Sequence, residues 1–273
     1  MRSIAIMNQK GGVGKTTTAV NVSAALANTG AKVCLIDLDP QAHATLHFNI
    51  EPQAKIDSIY DVLVDDLSLA EVRKQTDENL WLIPAHLDLA AAEVELASKI
   101  GREMLLRDKL AADDMEFDYI FMDCPPSLGV LTLNALAAVD EVFVPLQPHY
   151  LALHGLVKLT ETLELVSKRL NGRLELSGII LCMFDGQVRL SFDVAEGVDE
   201  FLQQKYDFLL KKYGTPTPCS NAKILQTKIR RNIRLAEAPS HGKTIFAYDP
   251  RSNGAEDYRN LADEIRELQK TTG

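Results

Sequence analysis

Short apolar runs separated by longer stretches of helical period set the outline of this chain. Ile4–Met7, Val33–Asp37, Leu80–Pro84, Tyr119–Asp123, Val142–Leu146 and Leu176–Met183 are rich in Val, Ile and Leu. They lack the alternation of a half-exposed strand, so each is expected as a parallel strand covered on both faces. Between the first two, Thr16–Thr29 carries Ala19, Val22, Ala25 and Leu26 on one face and runs into Gly30, the expected C-cap. Further helices are expected over Leu89–Leu110, Gly129–Ala138, Gly155–Leu170, Phe192–Lys205 and Glu256–Lys270. Repetition of strand and helix predicts an α/β fold with a single doubly wound, mostly parallel sheet flanked by helices. No internal repeat and no Pro/Ser-rich linker divides the chain, so residues 1–273 are expected to form one domain. Tyr206–Cys219, with Gly214, Pro216 and Pro218, reads as a hydrophilic loop or hairpin insertion.

Composition narrows the class without changing this outline. Hydrophobic residues make up 46% and charged residues 25% of the 273, which excludes a disordered or collagen-like chain. The 29 Lys and Arg against 38 Asp and Glu leave a net charge of −9, which argues against a surface basic all over but not against a local basic patch. Cys34, Cys124, Cys182 and Cys219 lie far apart with no CxxC pair, so buried reduced thiols are expected rather than a zinc, iron–sulfur or disulfide framework. The segment before Asn8 is too short for a signal peptide, and no apolar run approaches the roughly 18 residues of a membrane span. A soluble cytoplasmic protein is the expectation.

The strongest chemical signal follows the first strand: Lys10-Gly11-Gly12-Val13-Gly14-Lys15-Thr16-Thr17. Three glycines let the backbone curl until its N–H groups converge on phosphate oxygens, and the next helix adds its positive N-terminus. Lys15 is then placed for the β- and γ-phosphates, and the Thr16 hydroxyl for Mg²⁺. Gln9 stands where the GxxxxGK(S/T) pattern has glycine, so this is a variant P-loop with a lysine, Lys10, one position later. Two acidic segments close strands that can face it, Asp37-Leu38-Asp39-Pro40-Gln41 and Asp123-Cys124-Pro125-Pro126-Ser127. Asp123, after four apolar residues, is expected to hold Mg²⁺, and Asp39 to position or activate the attacking water. Thr16, Asp39 and Asp123 form the expected magnesium set.

Four segments together carry a resemblance. Lys10–Thr17, Asp37–Thr45, Tyr119–Leu128 and Ile233–Gly254 resemble the ParA/Soj family of chromosome- and plasmid-partition ATPases, over nearly the whole chain. The resemblance implies a P-loop NTPase fold, ATP/ADP and Mg²⁺ as cofactors, and a homodimer that forms on ATP binding. It makes Lys10 the signature lysine that reaches the partner's phosphates, by the logic of a cation supplied in trans to phosphoryl transfer. Lys10, Lys15 and Asp39 are the implied catalytic residues, Asp39 in switch I, with Asp123–Ser127 as switch II. Lys10, Gly11, Gly12, Val13, Gly14, Lys15, Thr16 and Thr17 are the implied nucleotide cradle. The family's Ile-Pro-Arg-Asn segment corresponds to Ile229-Arg230-Arg231-Asn232, so Asn232, with Met183 near it, is the implied adenine contact; Arg230 replaces the usual proline.

From Lys223 to Arg234 the chain has five basic residues and no acidic one. Such a patch supplies phosphate contacts even on a net-negative protein. The family binds double-stranded DNA non-specifically as its ATP dimer, which makes Arg189, Lys228, Arg230, Arg231 and Arg234 the expected DNA-binding residues. No aromatics interleave with them, so single-strand stacking is not indicated. Gln187-Val188 stands where the family commonly has Arg-Thr. The implied partner is a ParB-type centromere-binding protein that stimulates hydrolysis, and nucleoid association is implied for the ATP-bound state. Because the chain starts at its first strand, operator-specific repression is not expected.

Three other classes compete. A MinD-like membrane-associated or other cargo-positioning ATPase would need a basic amphipathic C-terminal helix. The last helix places Tyr258, Leu261, Ile265 and Leu268 on a stripe but carries Glu256, Asp257, Asp263, Glu264 and Glu267, so no membrane partner is expected. Electron transfer of the nitrogenase-iron-protein kind needs a second cysteine to match Cys124, and none stands in place. A dethiobiotin-synthetase-like ligase would share the fold and the loop, but the partition-type segments count against it.

Overall fold

A computed structural model describes residues 1–53, 55–213 and 217–268. Its eight strands are β1 (Arg2–Ile6), β2 (Val33–Asp37), β3 (Lys74–Asp77), β4 (Leu80–Ile83), β5 (Tyr119–Asp123), β6 (Glu141–Leu146), β7 (Glu175–Phe184) and β8 (Ile229–Arg230). They form one sheet in the order β3-β4-β2-β5-β1-β6-β7-β8. Every adjacent pair is parallel except β3 with β4. The six expected strands are all present within two residues of their expected ends. β1 lies between β5 and β6, while the chain leaving it crosses over to β2 on the far side of β5. This reversal opens a crevice at the carboxyl ends of the strands, where α/β sheets take ligands.

The sheet carries an apolar layer on each face because successive side chains alternate. Ala5, Ile36, Ile120 and Met122 enter one layer, under the helices Ile59–Val64, Leu105–Ala111, Val130–Ala138 and Ala152–Arg169. Ile4, Ile6, Leu35, Phe121 and Phe143 enter the other, under Lys15–Ala27 and Asn253–Glu267. The stripe of the last helix is core: Tyr258, Leu261 and Ile265 are at most 1% exposed. No helix among the described residues is long and apolar enough to cross a membrane.

Three expectations about elements are corrected. Leu89–Leu110 is not one helix: it divides into Leu89–Glu95, a 3-10 turn Leu96–Ser98 and Leu105–Ala111. Gly101, at φ 72°, sits in the break, and only a residue without Cβ takes that conformation freely. The expected loop at Tyr206–Cys219 is instead helical as far as Tyr213, because Phe192–Lys205 is the middle of a longer helix, Arg189–Tyr213. Val194, Val198 and Leu202, four residues apart, bury its inner face, while Tyr206, Phe208 and Leu210 beyond them are exposed. Gly214, Thr215 and Pro216 lie outside the described residues. Finally, β3 and β8 were not anticipated: β3 is polar with alternating exposure, and β8 has only two residues.

Phe121 is fully buried on the central strand β5. Phe121→Ala is expected to lower the unfolding free energy by about 3–5 kcal/mol, read as a fall in the urea midpoint at unchanged slope.

Candidate functional site

The Gly-rich loop leaves the end of β1, and its curl depends on backbone conformations rather than on space. Gly12 has φ 73° and Gly14 has φ 95°, while a Cβ on Gly12 would meet nothing within 4 Å. Gly14 is the N-cap of Lys15–Ala27, so the first free N–H groups of that helix open into the loop. Asn8, which sequence reasoning passed over, anchors the loop from both sides. Its Nδ2 donates to Pro145 O of β6 at 2.7 Å, and its Oδ1 accepts from Lys10 N at 3.0 Å.

The two lysines point different ways. Lys15 is 7% exposed and donates from Nζ to Lys10 O at 3.1 Å, closing the loop on itself. Burial lowers its pKa, and the charges of Asp123 and Asp39 oppose that fall. Lys10 is exposed, and its Nζ lies against His149 Nε2. Burial, and then the Lys10 charge, lower the His149 pKa, while its Nδ1 accepts from Leu151 N at 3.1 Å.

Three aspartates gather opposite the loop because parallel pairing aligns strand ends. Asp123 of β5 is in register with Ile6 of β1 and with Asp37 of β2. Asp37 is satisfied: one oxygen accepts from Thr45 N at 2.8 Å and Thr45 Oγ1 at 2.7 Å, the other from Asp39 N at 3.2 Å. It therefore pins the segment that carries Asp39, a role its position one residue before a possible turn did not reveal. Asp39, 7% exposed, accepts from Gln41 N at 3.0 Å. Asp123 is fully buried, and neither carboxylate oxygen meets a hydrogen-bond partner, although the Thr16 side chain is near enough to favour the charged form. Burial, followed by the charge of Asp37, pushes its pKa well above the usual carboxylate range. A buried carboxylate left so is costly unless a cation arrives.

Of these residues Lys15 and Asp39 line a cleft of ≈ 760 Å³, with Gly11, Gly12, Gly14, Thr16, Thr17 and Met183, while Asp123 lies buried behind its lining. Pro126 of the expected switch II lines it too, as do Gln41, His43, His47, Pro239, Ser240 and Gly242, to which no contact was assigned from sequence. Val13, by contrast, is buried at 2% exposure and offers only its backbone. A second hollow of ≈ 340 Å³ shares Gly14, Thr17 and Met183 with the cleft and adds Asn232, Ile233 and Tyr258. Met183 and Asn232, far apart in sequence, thus meet on its wall. Met183 takes φ 52°, an uncommon conformation for a side chain with Cβ, at the irregularity where β7 pairs with β8. Asn232 uses Oδ1 to cap the helix Ile233–Glu237 through Arg234 N, leaving its amide NH₂ for another partner.

Magnesium fits this donor set. The hydroxyl of Thr16 and the carboxylates of Asp39 and Asp123 are hard oxygen donors, and both oxygens of the buried Asp123 lack a hydrogen-bond partner, whose place a cation would take. Among the described residues no group of three or more His, Cys, Asp or Glu is arranged to hold a metal alone. Mg²⁺ is commonly bound in just that way, by one or two carboxylates together with substrate phosphates.

The basic segment is less free than its sequence suggests, because acidic residues from the last helix and a neighbouring turn fold against it. Arg230 donates to Asp257 Oδ1 at 2.6 Å and to Glu256 Oε2 at 2.7 Å. Arg234 pairs with Glu237 at 2.8 Å and Asp249 at 3.5 Å. Lys228 lies over the ring of Phe184 at 4.4 Å and near Phe192 at 5.5 Å, so aromatics do accompany the patch, supplied by other elements. Arg189 is highly exposed and only loosely paired with Asp193 at 3.7 Å, and Arg231 is exposed with no ion pair among the described residues. The four cysteines are all buried and free.

A family model described as an AAA domain matches residues 1–176. The sporulation initiation inhibitor protein Soj of Bacillus subtilis (strain 168) is 47% identical over 263 residues, covering 96% of this chain and 97% of that protein. The chromosome partitioning protein ParA of Myxococcus xanthus (strain DK1622) is 42% identical over 265 residues, covering 97% and 87%. Among solved structures, a cobyrinic acid a,c-diamide synthase from Mycobacterium smegmatis with bound ADP and magnesium matches with TM-score 0.79 at 36% identity, covering 97% and 94%.

Asp123→Asn removes the buried charge and keeps the shape. The ligand-free variant is expected to unfold at a higher temperature than wild type in EDTA, and to lose most of the additional stabilisation that Mg²⁺ with ATP gives the wild type. Scanning calorimetry with and without the ligands checks both halves.

Proposed function

We propose, from the premise that this chain belongs to the ParA/Soj family of partition ATPases, that it is one ATPase domain acting in DNA segregation as an ATP-dependent homodimer. It hydrolyses ATP, with ATP/ADP and Mg²⁺ as its cofactors. The observation that carries the reading is the juxtaposition of an anion cradle and an unpartnered buried anion: the glycine loop with Lys15 wants phosphate, and Asp123 wants a cation. Mg²⁺ with a nucleoside triphosphate satisfies both.

In this reading Lys15 gives up the Lys10 carbonyl for the β- and γ-phosphates, while the N–H groups of Gly11–Thr17 surround their oxygens. Thr16, Asp39 and Asp123 would hold Mg²⁺, which would offset the negative charge of the phosphates. Asp39, fixed by Asp37 through its own N–H, orients the attacking water. Lys10 points out of its own cleft, as suits a cation offered to a second subunit. Hydrolysis then requires pairing, because the charge that develops in phosphoryl transfer is met in trans.

DNA is taken non-specifically by the dimer through Arg189, Lys228 and Arg231, whose charges are the least neutralised; Arg230 and Arg234 contribute less, being paired within the chain. A ParB-type partner accelerates turnover. The synthase-type relative shares the nucleotide cleft, but the partition-type likeness is the higher in identity and covers this chain equally well. The buried, acidic-flanked stripe of the last helix disfavours a MinD-like membrane role.

Lys15→Ala is expected to abolish ATP binding in equilibrium titration. Asp39→Ala is expected to retain ATP and dimerise on gel filtration while hydrolysis falls by about a hundredfold or more; a monomeric, fully active Asp39→Ala protein overturns the assignment. For DNA, Arg231→Ala is expected to weaken ATP-dependent binding and flatten its salt dependence by about one counterion per subunit, whereas Arg230→Ala leaves the salt slope nearly unchanged.

A further inference from the structure

β8 has only two residues and pairs on one side alone, with β7, through a register that slips at Met183. So short an edge strand lacks the hydrogen bonds to fix its own position. Its missing partner is supplied by side chains of the helix Asn253–Glu267. Asp257 Oδ2 accepts from Arg230 N at 2.8 Å, in the manner of a neighbouring strand's carbonyl. Glu264, two turns further along the same helix, accepts from Gln226 N at 2.7 Å and Thr227 N at 2.8 Å. The guanidinium of Arg230 then folds back on the same Asp257, with Nε at 2.9 Å from Oδ1.

This arrangement uses what is particular to the chain at position 230. A proline there would present no N–H to Asp257 and no side chain to close the clamp. The Asp257 side chain is only 6% exposed while that of Arg230 is 44% exposed, so the carboxylate accepts its charge-assisted bonds from a buried position and the guanidinium covers it from the solvent side. The carboxylates surrounding Arg230 hold its guanidinium firmly charged.

The clamped segment leads directly into the hollow beside the phosphate cleft. Arg230, Arg231, Asn232 and Ile233 form one wall of it, facing Gly14, Thr17 and Met183. The helix reaches the other wall as well, since Tyr258 lines the hollow and shares a hydrogen bond with Thr18 Oγ1 at 3.2 Å. We infer that Asp257, through Arg230, is a positioning residue for the nucleobase: it holds the Ile229–Asn232 wall at the spacing that seats the base of ATP, without touching the phosphates. The inference rests on the reading of this hollow as the base side of the ATP site. Asp257 lines neither the cleft nor the hollow, so its loss acts through the wall it holds.

The test compares two ligands on the full chain in the presence of Mg²⁺: ATP, which has a base, and inorganic tripolyphosphate, which has none. Asp257→Ala is expected to lower ATP affinity by about tenfold, the size of a lost charge-assisted hydrogen bond, while tripolyphosphate affinity stays at the wild-type value. Arg230→Met keeps the backbone N–H to Asp257 and removes only the guanidinium, so it is expected to show a smaller loss in the same direction, and it reads the clamp even if Asp257→Ala fails to fold. Equal losses for both ligands, or a wild-type ratio kept by the variants, overturn the clamp. Wild-type protein that binds ATP no better than tripolyphosphate overturns the base-side reading itself, and the clamp with it.

Discussion

The buried carboxylate of Asp123, set between the ends of β1 and β2 with no hydrogen-bond partner, is the constraint around which the site is built. Parallel register puts it there. The cost of leaving it unpaired is offset only partly by Lys15, itself desolvated and donating to a carbonyl of its own loop. Asp37 faces the same burial but is relieved by Thr45 and by the backbone of Asp39. One aspartate is thus used for structure and its neighbour is left for a cation, and the difference lies in hydrogen bonds rather than in residue type.

That division explains what could be read from the sequence. The phosphate loop was legible because glycines, lysine and threonine stand in consecutive order between a strand and a helix, so spacing alone carries the chemistry. Asp39 and Asp123 were legible as carboxylates at strand ends. The central sheet was legible too, since strands covered on both faces are continuous apolar runs. Asn8, Asp37 and the turn Pro239–Gly242 were not, because their roles depend on long-range packing and no local pattern marks them. β8 escaped for the same reason: its two residues pair with β7 on one side, and Asp257 of the helix Asn253–Glu267 accepts from Arg230 N on the other. The helix runs on past Lys205 to Tyr213 although Tyr206, Phe208 and Leu210 are exposed there, so its extent is set by the buried face of Val194, Val198 and Leu202 upstream and not by a local signal.

The same long-range packing changes the electrostatic picture. An uninterrupted basic run in the sequence is, in the fold, a surface met by Glu237, Asp249, Glu256 and Asp257. Net charge and local charge runs are both poor guides here, because the decisive quantity is which cations keep no intramolecular partner. The last helix has three separate tasks. Its apolar stripe packs against Lys15–Ala27, its carboxylates hold the short edge strand, and Tyr258 bonds to Thr18 just behind the phosphate loop. The helix behind the glycine loop and the short edge strand are therefore both braced by one element.

The account's central claim is that each cleft holds its own Lys15 and Asp39 but offers its Lys10 to another subunit. Mixing settles this directly. Lys10→Ala and Asp39→Ala proteins, combined before ATP is added, form pairs in which one cleft has an intact Asp39 and faces an intact Lys10. The account predicts that each protein alone is inactive and that the mixture hydrolyses ATP. A mixture that remains inactive although mixed dimers form, or a Lys10→Ala protein that hydrolyses ATP at the wild-type rate, contradicts it.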